Sequence, residues 1–157
     1  NAFVDQLDQL TPLVDGGASL LLMNTAMLLK VRAAARRAGY YDRKKDDFGR
    51  AVEYFGDIPI MDAGMYYNGT KSVDVIDTST PSTTAAGTSS IYAVNIALDG
   101  FHGISPTGTG VINSYMPDLK APGAVKKGEV ELVAGVVLKN TLKAAALNGI
   151  ILKPKTA

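Results

Sequence analysis

Base-activated nucleophiles, phosphate cradles and metal centres each need particular residue types, and this 157-residue sequence offers few of them. It holds no cysteine and one histidine, His102. That removes disulfide frameworks, thiolate zinc sites and cysteine nucleophiles together. His102 would have to serve as base for a serine such as Ser105 or Ser114. It sits in Phe101-His102-Gly103 directly after a turn signal, and no Gly-x-Ser-x-Gly elbow supplies its partner, so an ordinary strand or turn histidine is the simpler reading. Gly108-Thr109-Gly110 lacks the third glycine of a dinucleotide fingerprint and the lysine of a phosphate loop, and reads as a turn. The pairs Asp5/Asp8, Asp46/Asp47 and Asp74/Asp77 have spacings common on solvated faces. Asn68-Gly69-Thr70 matches a glycosylation acceptor, a tripeptide frequent by chance. No catalytic set, cofactor or metal is expected.

Charge is the stronger signal. The net charge is +1, yet residues 30 to 50 carry eight basic groups (Lys30, Arg32, Arg36, Arg37, Arg43, Lys44, Lys45, Arg50) against Asp42, Asp46 and Asp47. That stretch stands at +5 and the remainder at −4. Such asymmetry suits an anionic ligand, and equally suits copies packing basic patch to acidic patch. A basic helix face can grip phosphates, but no aromatic residue is interleaved among these cations, and alanine-rich helices with basic outer faces are usually solvated or paired with acids.

The elements that position these groups follow from periodicity and punctuation. Phe3, Val4, Leu7 and Leu10 predict a first helix closed by Pro12. Ala18 to Met23 reads as a strand buried on both faces. Asn24 or Thr25 caps a second helix that Gly39 ends, with Met27, Leu28, Val31, Ala34, Ala35 and Ala38 inward and Lys30, Arg32, Arg36 and Arg37 outward. Tyr40 to Phe48 is a charged loop. Ala51 to Phe55 and Ile58 to Met61 form a hairpin about Gly56-Asp57, with Pro59 at a sheet edge or ladder break, and Tyr66 to Gly69 is a turn.

Thr78 to Ser90, small and uncharged, predicts an exposed, mobile loop outside the core. Ile91 to Leu98 and Phe101 to Ile104 make a second hairpin about Asp99-Gly100, and Val111 to Tyr115 is a strand. Glu129 to Leu138 is a strand passing from the surface into the core, and Asn140 caps a last helix through Leu142, Ala145, Ala146 and Leu147 that stops at Gly149. Hairpin signals outnumber βαβ units, so the fold class is α+β, a mainly antiparallel sheet flanked by helices. The longest apolar runs fall short of the roughly 18 residues of a membrane span, which predicts a soluble chain without membrane contact. The opening at Asn1, without a signal-peptide pattern, reads as part of something longer.

One succession of segments carries a family likeness. LDQLTPLV, ASLLLMN running into TAMLLKVRAAARRAG, VEYFGDIPIMDAG, a polar loop, SSIYAVNIALDGFHGISP and GEVELVAGVVLKNTLKAAALNGI together resemble the C-terminal part of tailed-bacteriophage major capsid proteins of the Hong Kong 97 type. The similarity runs from Leu7 to about Leu152 and lies in the order of the pieces, most tellingly Met23-Asn24 before the basic helix, the hairpin from Tyr54 to Ile60, and Ser90 to Val94.

The resemblance implies that residues 1–128 are an axial-domain-like α+β region with a mobile loop at 78–90. Residues 129–157 would then be a closing strand-helix-strand that returns to a peripheral-domain sheet. Nothing here resembles the family's N-terminal arm, extended loop or spine helix. It further implies a structural, non-enzymatic subunit of an icosahedral bacteriophage or prophage head, self-assembling through pentamers and hexamers around double-stranded DNA. Scaffold or portal proteins would be further partners, packaged DNA a non-specific contact, and the virion its place, with assembly in the bacterial cytoplasm. The expected assembly contacts are Lys30, Arg32, Arg36 and Arg37, then Arg43, Lys44 and Lys45, then the hairpin tip at Phe55 and Asp57. The chain by itself would be a monomer or weak oligomer. An encapsulin-like cellular cage of the same fold is the alternative, followed by a small hydrolase or nucleotide-binding enzyme using His102, Gly108 and Gly110.

Overall fold

The computed structural model describes residues 2–39, 42–45, 49, 51–78, 87–108, 110–118, 120 and 122–152, with the backbone alone at Asp42 and Arg43. Helix α1 (Ala2–Leu10) and a 3-10 turn (Thr11–Leu13) precede strand β1 (Leu20–Met23) and helix α2 (Thr25–Ala38). Strands β2 (Asp42–Lys45), β3 (Ala51–Phe55), β4 (Ile58–Asp62), β5 (Met65–Tyr67), β6 (Ser72–Asp74) and β7 (Thr88–Val94) follow. The remainder is β8 (Phe101–Ile104), β9 (Ile112–Tyr115), β10 (Glu129–Leu132), β11 (Gly135–Leu138), a 3-10 turn (Thr141–Lys143) and β12 (Ala144–Ile151). Among the described residues no helix is long and apolar enough to cross a membrane.

Residues 1–101 with 138–157 form one compact unit, and residues 102–137 form another. The chain beyond Leu138 returns to the first unit as β12, which pairs with β7 along Ala144–Leu147 and again at Ile150 and Ile151. In the first unit six strands run in the order β12-β7-β1-β4-β3-β2. Every neighbouring pair is antiparallel except β1 with β4, which the α2 crossover makes parallel. The sheet is thus mainly antiparallel and flanked by helices, as the hairpin signals imply.

One face of this sheet holds the core. Leu21 and Met23 of β1, Ile91 and Ala93 of β7 and Ile150 of β12 pack with Leu7 and Leu10 of α1 and Met27, Leu28 and Val31 of α2. Burial alternates along β1, with Leu20 and Leu22 only half-buried, because the helices cover one face rather than two. Pro59 lies in the interior strand β4, but the β1 ladder begins opposite Ile60, so its missing N–H falls where no bond is needed.

Four further segments depart from the sequence reading. Asp42–Lys45 is an edge strand rather than loop, because β3 offers it a ladder from Asp42↔Tyr54 to Lys45↔Ala51. Met65–Tyr67 and Ser72–Asp74 form a hairpin where only a turn was legible; Asn68 Oδ1 accepts from Thr70 N and Lys71 N at 3.1 and 3.0 Å. Within the expected loop 78–90, residues 79–86 lie outside the described residues, whereas Thr88–Ser90 belong to β7 and Gly87 and Ser89 are buried. The last helix is absent. Asn140 caps only a single 3-10 turn, accepting from Leu142 N at 3.0 Å, and Ala144 is already extended. The alanines then pair with Val94, Ala93 and Tyr92, because β7 offers an open ladder that outweighs their local helix preference. Gly149, at φ 73°, lies at the register shift between Leu147 and Ile150.

Asp99-Gly100 does turn the chain, but it does not join a β7/β8 hairpin: β8 pairs with β11. Gly100 is required there, since a Cβ would stand 2.6 Å from the Asn95 carbonyl oxygen.

Candidate assembly surfaces

Helix α2 presents its basic groups because both of its ends are fixed locally. Asn24 Oδ1 accepts from Met27 N at 2.9 Å, and Gly39 closes the helix at φ 78°. Asn24 does more than cap. It is buried, and its Nδ2 donates to Ile76 O, Thr78 Oγ1 and Ser89 Oγ at 3.1, 3.2 and 3.0 Å, so one side chain ties α2 to the end of β7 and to the chain after β6.

The structure divides the expected basic face. Arg32 Nε donates to Glu53 Oε2 at 2.6 Å, and the Glu53 side chain is only 7% exposed, so this pair joins α2 to β3 inside the subunit. The ammonium of Lys30 lies 5.1 Å from the centre of the Phe3 ring and donates to the Ile151 carbonyl. Partial burial holds its pKa below the ordinary lysine range. Arg36 and Arg37 are exposed; each Nε also donates to a carbonyl of its own helix, at Arg32 and Ala33.

Strand β2 closes one end of the sheet. Lys44 and Lys45 are exposed, and the Lys44 ammonium lies 5.2 Å from the centre of the Tyr54 ring. Arg43 is placed by its backbone opposite Glu53. At the β3/β4 tip Gly56 turns the chain at φ 60° and Asp57 is exposed. Phe55 instead packs against the core cluster, and with Val4, Asp8, Thr11 and Ile58 it lines an open groove of about 560 Å³.

Another ionic site escapes sequence inspection. Lys143 is 13% exposed, and its ammonium meets Asp15 Oδ2 at 3.2 Å and Asp99 Oδ2 at 3.4 Å. The hydrogen bond that the Lys143 ammonium donates to Asp15 raises its pKa above the ordinary 10.5.

Residues 102–137 show the feature that periodicity missed most. Glu129–Leu132 and Gly135–Leu138 are two separate strands, and neither enters a core. In the β9/β10 pair Ile112 stands opposite Leu132 and Ser114 opposite Val130. Ile112, Val130 and Leu132 share a face and are 67%, 76% and 68% exposed. Glu129 and Glu131 lie on the opposite face. His102 is in β8 and Ser114 in β9, which belong to different two-stranded sheets.

No protein-family model and no curated protein matches the chain. Among solved structures it is similar to the encapsulin of the holo-SrpI encapsulin complex from Synechococcus elongatus, with a TM-score of 0.66 and 13% identity over 98% of this chain. The match covers 51% of that chain, so the sequence spans about half the length of the encapsulin subunit. The likeness is one of fold alone: this chain shares the α+β fold of about half of that encapsulin subunit.

Proposed function

We propose that this chain is part of a shell-forming subunit, one that builds a closed protein cage from many copies and performs no catalysis itself. The observation that carries the reading is the fold: nearly the whole chain superposes on a cage protein at a TM-score of 0.66. The surface chemistry agrees with it. Arg36, Arg37, Lys44, Lys45 and Asp57 are solvent-facing, and residues 102–137 present apolar side chains without a core beneath them. Large exposed apolar area on a soluble chain marks an interaction surface. Lys30, Arg32 and Phe55, by contrast, serve mainly to hold the subunit together.

Of the two shell types, the encapsulin-like cage is favoured, because the similar structure is an encapsulin. A bacteriophage head, with the virion as its location and scaffold, portal and DNA as partners, rests on the succession of segments from Leu7 to Leu152 alone. Electron microscopy of the product of the complete encoding gene tests the shell: closed icosahedral particles are expected, and a population of small open oligomers only would refute it. Particles that co-purify with a cargo protein and no nucleic acid identify a cage; particles filled with double-stranded DNA identify a head.

A further inference from the structure

The six-stranded sheet ends in a basic strand, and the 102–137 unit contains an acidic one. Strand β2 reads Asp42-Arg43-Lys44-Lys45; β3 occupies its inner edge, and no described strand pairs with its outer edge. Strand β10 reads Glu129-Val130-Glu131-Leu132 and pairs, among the described residues, with β9 alone. Each therefore presents a row of backbone donors and acceptors to which another strand can add.

The side-chain spacing matches as well. Alternation places Arg43 and Lys45 at register positions on one face of β2, and Glu129 and Glu131 on one face of β10, two residues apart in both. An antiparallel pairing of the two edges aligns Lys45 with Glu129 and Arg43 with Glu131; a parallel one aligns Arg43 with Glu129 and Lys45 with Glu131. In either register Lys44 meets Val130, and no like charges stand opposite one another. Glu129 already has Lys127 Nζ at 2.9 Å, but that pair is more than half exposed on both sides and readily exchanged.

We propose that β10 of one copy adds to the outer edge of β2 of a second copy, extending the sheet across the contact. The occupant is another copy because the two complementary strands lie on one chain. Each subunit then carries one basic and one acidic edge, and a head-to-tail contact of that kind builds a ring where its rotation closes and an open filament where it does not. The contact rests on the shell reading for its biological setting, and it fails separately from it.

The absence of cysteine makes the test direct. Lys45→Cys protein is mixed with Glu129→Cys or with Glu131→Cys protein, oxidised gently and run on a non-reducing gel. A mixed dimer is expected with Glu129→Cys for the antiparallel register or with Glu131→Cys for the parallel one. Asn148→Cys, on the opposite edge strand β12, serves as the background. In sedimentation equilibrium, Glu129→Lys with Glu131→Lys should weaken self-association by about tenfold. Mixing that protein with the Arg43→Glu, Lys45→Glu variant should restore it. Cross-linking no greater than with Asn148→Cys, a disulfide that forms only within single chains of a Lys45→Cys, Glu129→Cys double variant, or no restoration on mixing overturns the contact. Cross-linking that persists in this chain, while the complete gene product forms no particles, would instead overturn the shell reading and leave the contact standing.

Discussion

Residues 1–101 with 138–157 and residues 102–137 solve the same problem differently. The first unit stacks α1 and α2 on one face of six strands and buries Leu7, Leu21, Met23, Met27 and Ile91 almost completely. The second has strands of similar apolar content, yet none of its described residues is buried. Apolar composition therefore does not separate them. What separates them is whether a second layer covers the strands: a sheet face is stabilised only when another element removes it from water. The second unit, by contrast, leaves its Ile112, Val130 and Leu132 face exposed.

The contrast should be plainest in large-to-small substitutions. Leu21→Ala, at the centre of the covered face, is expected to cost about 3 kcal/mol in urea unfolding of the isolated chain. Leu132→Ala should cost less than about 0.5 kcal/mol in the same measurement. Equal losses would break the comparison, for they would mean that the 102–137 strands contribute to a core after all.

Asn24→Ala should rank next, at about 2 kcal/mol, since it removes the α2 cap and leaves the buried Ser89 hydroxyl with one partner fewer. A thermal melt unchanged by this substitution would show that the packing of α2 holds the first unit without its polar tie. Arg32→Met follows at about 1 to 2 kcal/mol, discounted from the cost of breaking a fully buried pair because Arg32 is 31% exposed. Adding Glu53→Leu should recover part of the loss, and no recovery would place the cost in packing rather than in the carboxylate left behind.

The smallest effect concerns Lys143, which ties the turn before β12 to Asp15 and Asp99. Its folded pKa is raised, so its stabilising contribution is complete below 10.5 and is lost as the pH rises through the folded value. Lys143→Met should lower the melting temperature slightly at neutral pH, and the difference from the parent chain should shrink in alkaline buffer above pH 10.5. A difference that stays constant across that range would remove the ion pair as the cause.

The parts of the fold legible in the sequence are those whose causes are local. Helix α2 announces itself through Asn24 at one end and Gly39 at the other, and the β3/β4 hairpin through Gly56-Asp57 between two β-rich runs. The misread parts have distant causes. Ala144 to Ala146 prefer helix in isolation and become strand only because Val94, Ala93 and Tyr92 wait some fifty residues earlier. Arg32 lies on the same polar arc as Arg36 and Arg37, and nothing in that arc distinguishes the arginine that finds Glu53 from those that stay exposed. The hairpin of β5 and β6 was hidden because Met65, Tyr66 and Tyr67 bury no face, so no alternation marks it.

The sequence by itself determined the α+β class, the capped basic helix, the central hairpin and the uneven charge, because capping, turn chemistry and periodicity act within a few residues. It also determined that no thiol chemistry is possible here. Only the tertiary structure decided which cations are spent inside the subunit, where the chain divides, that β12 closes the sheet, and that residues 102–137 carry an uncovered apolar face. Those outcomes depend on which strands meet across long stretches of chain, and pairing of that kind is chosen by the whole fold rather than by any local run of residues.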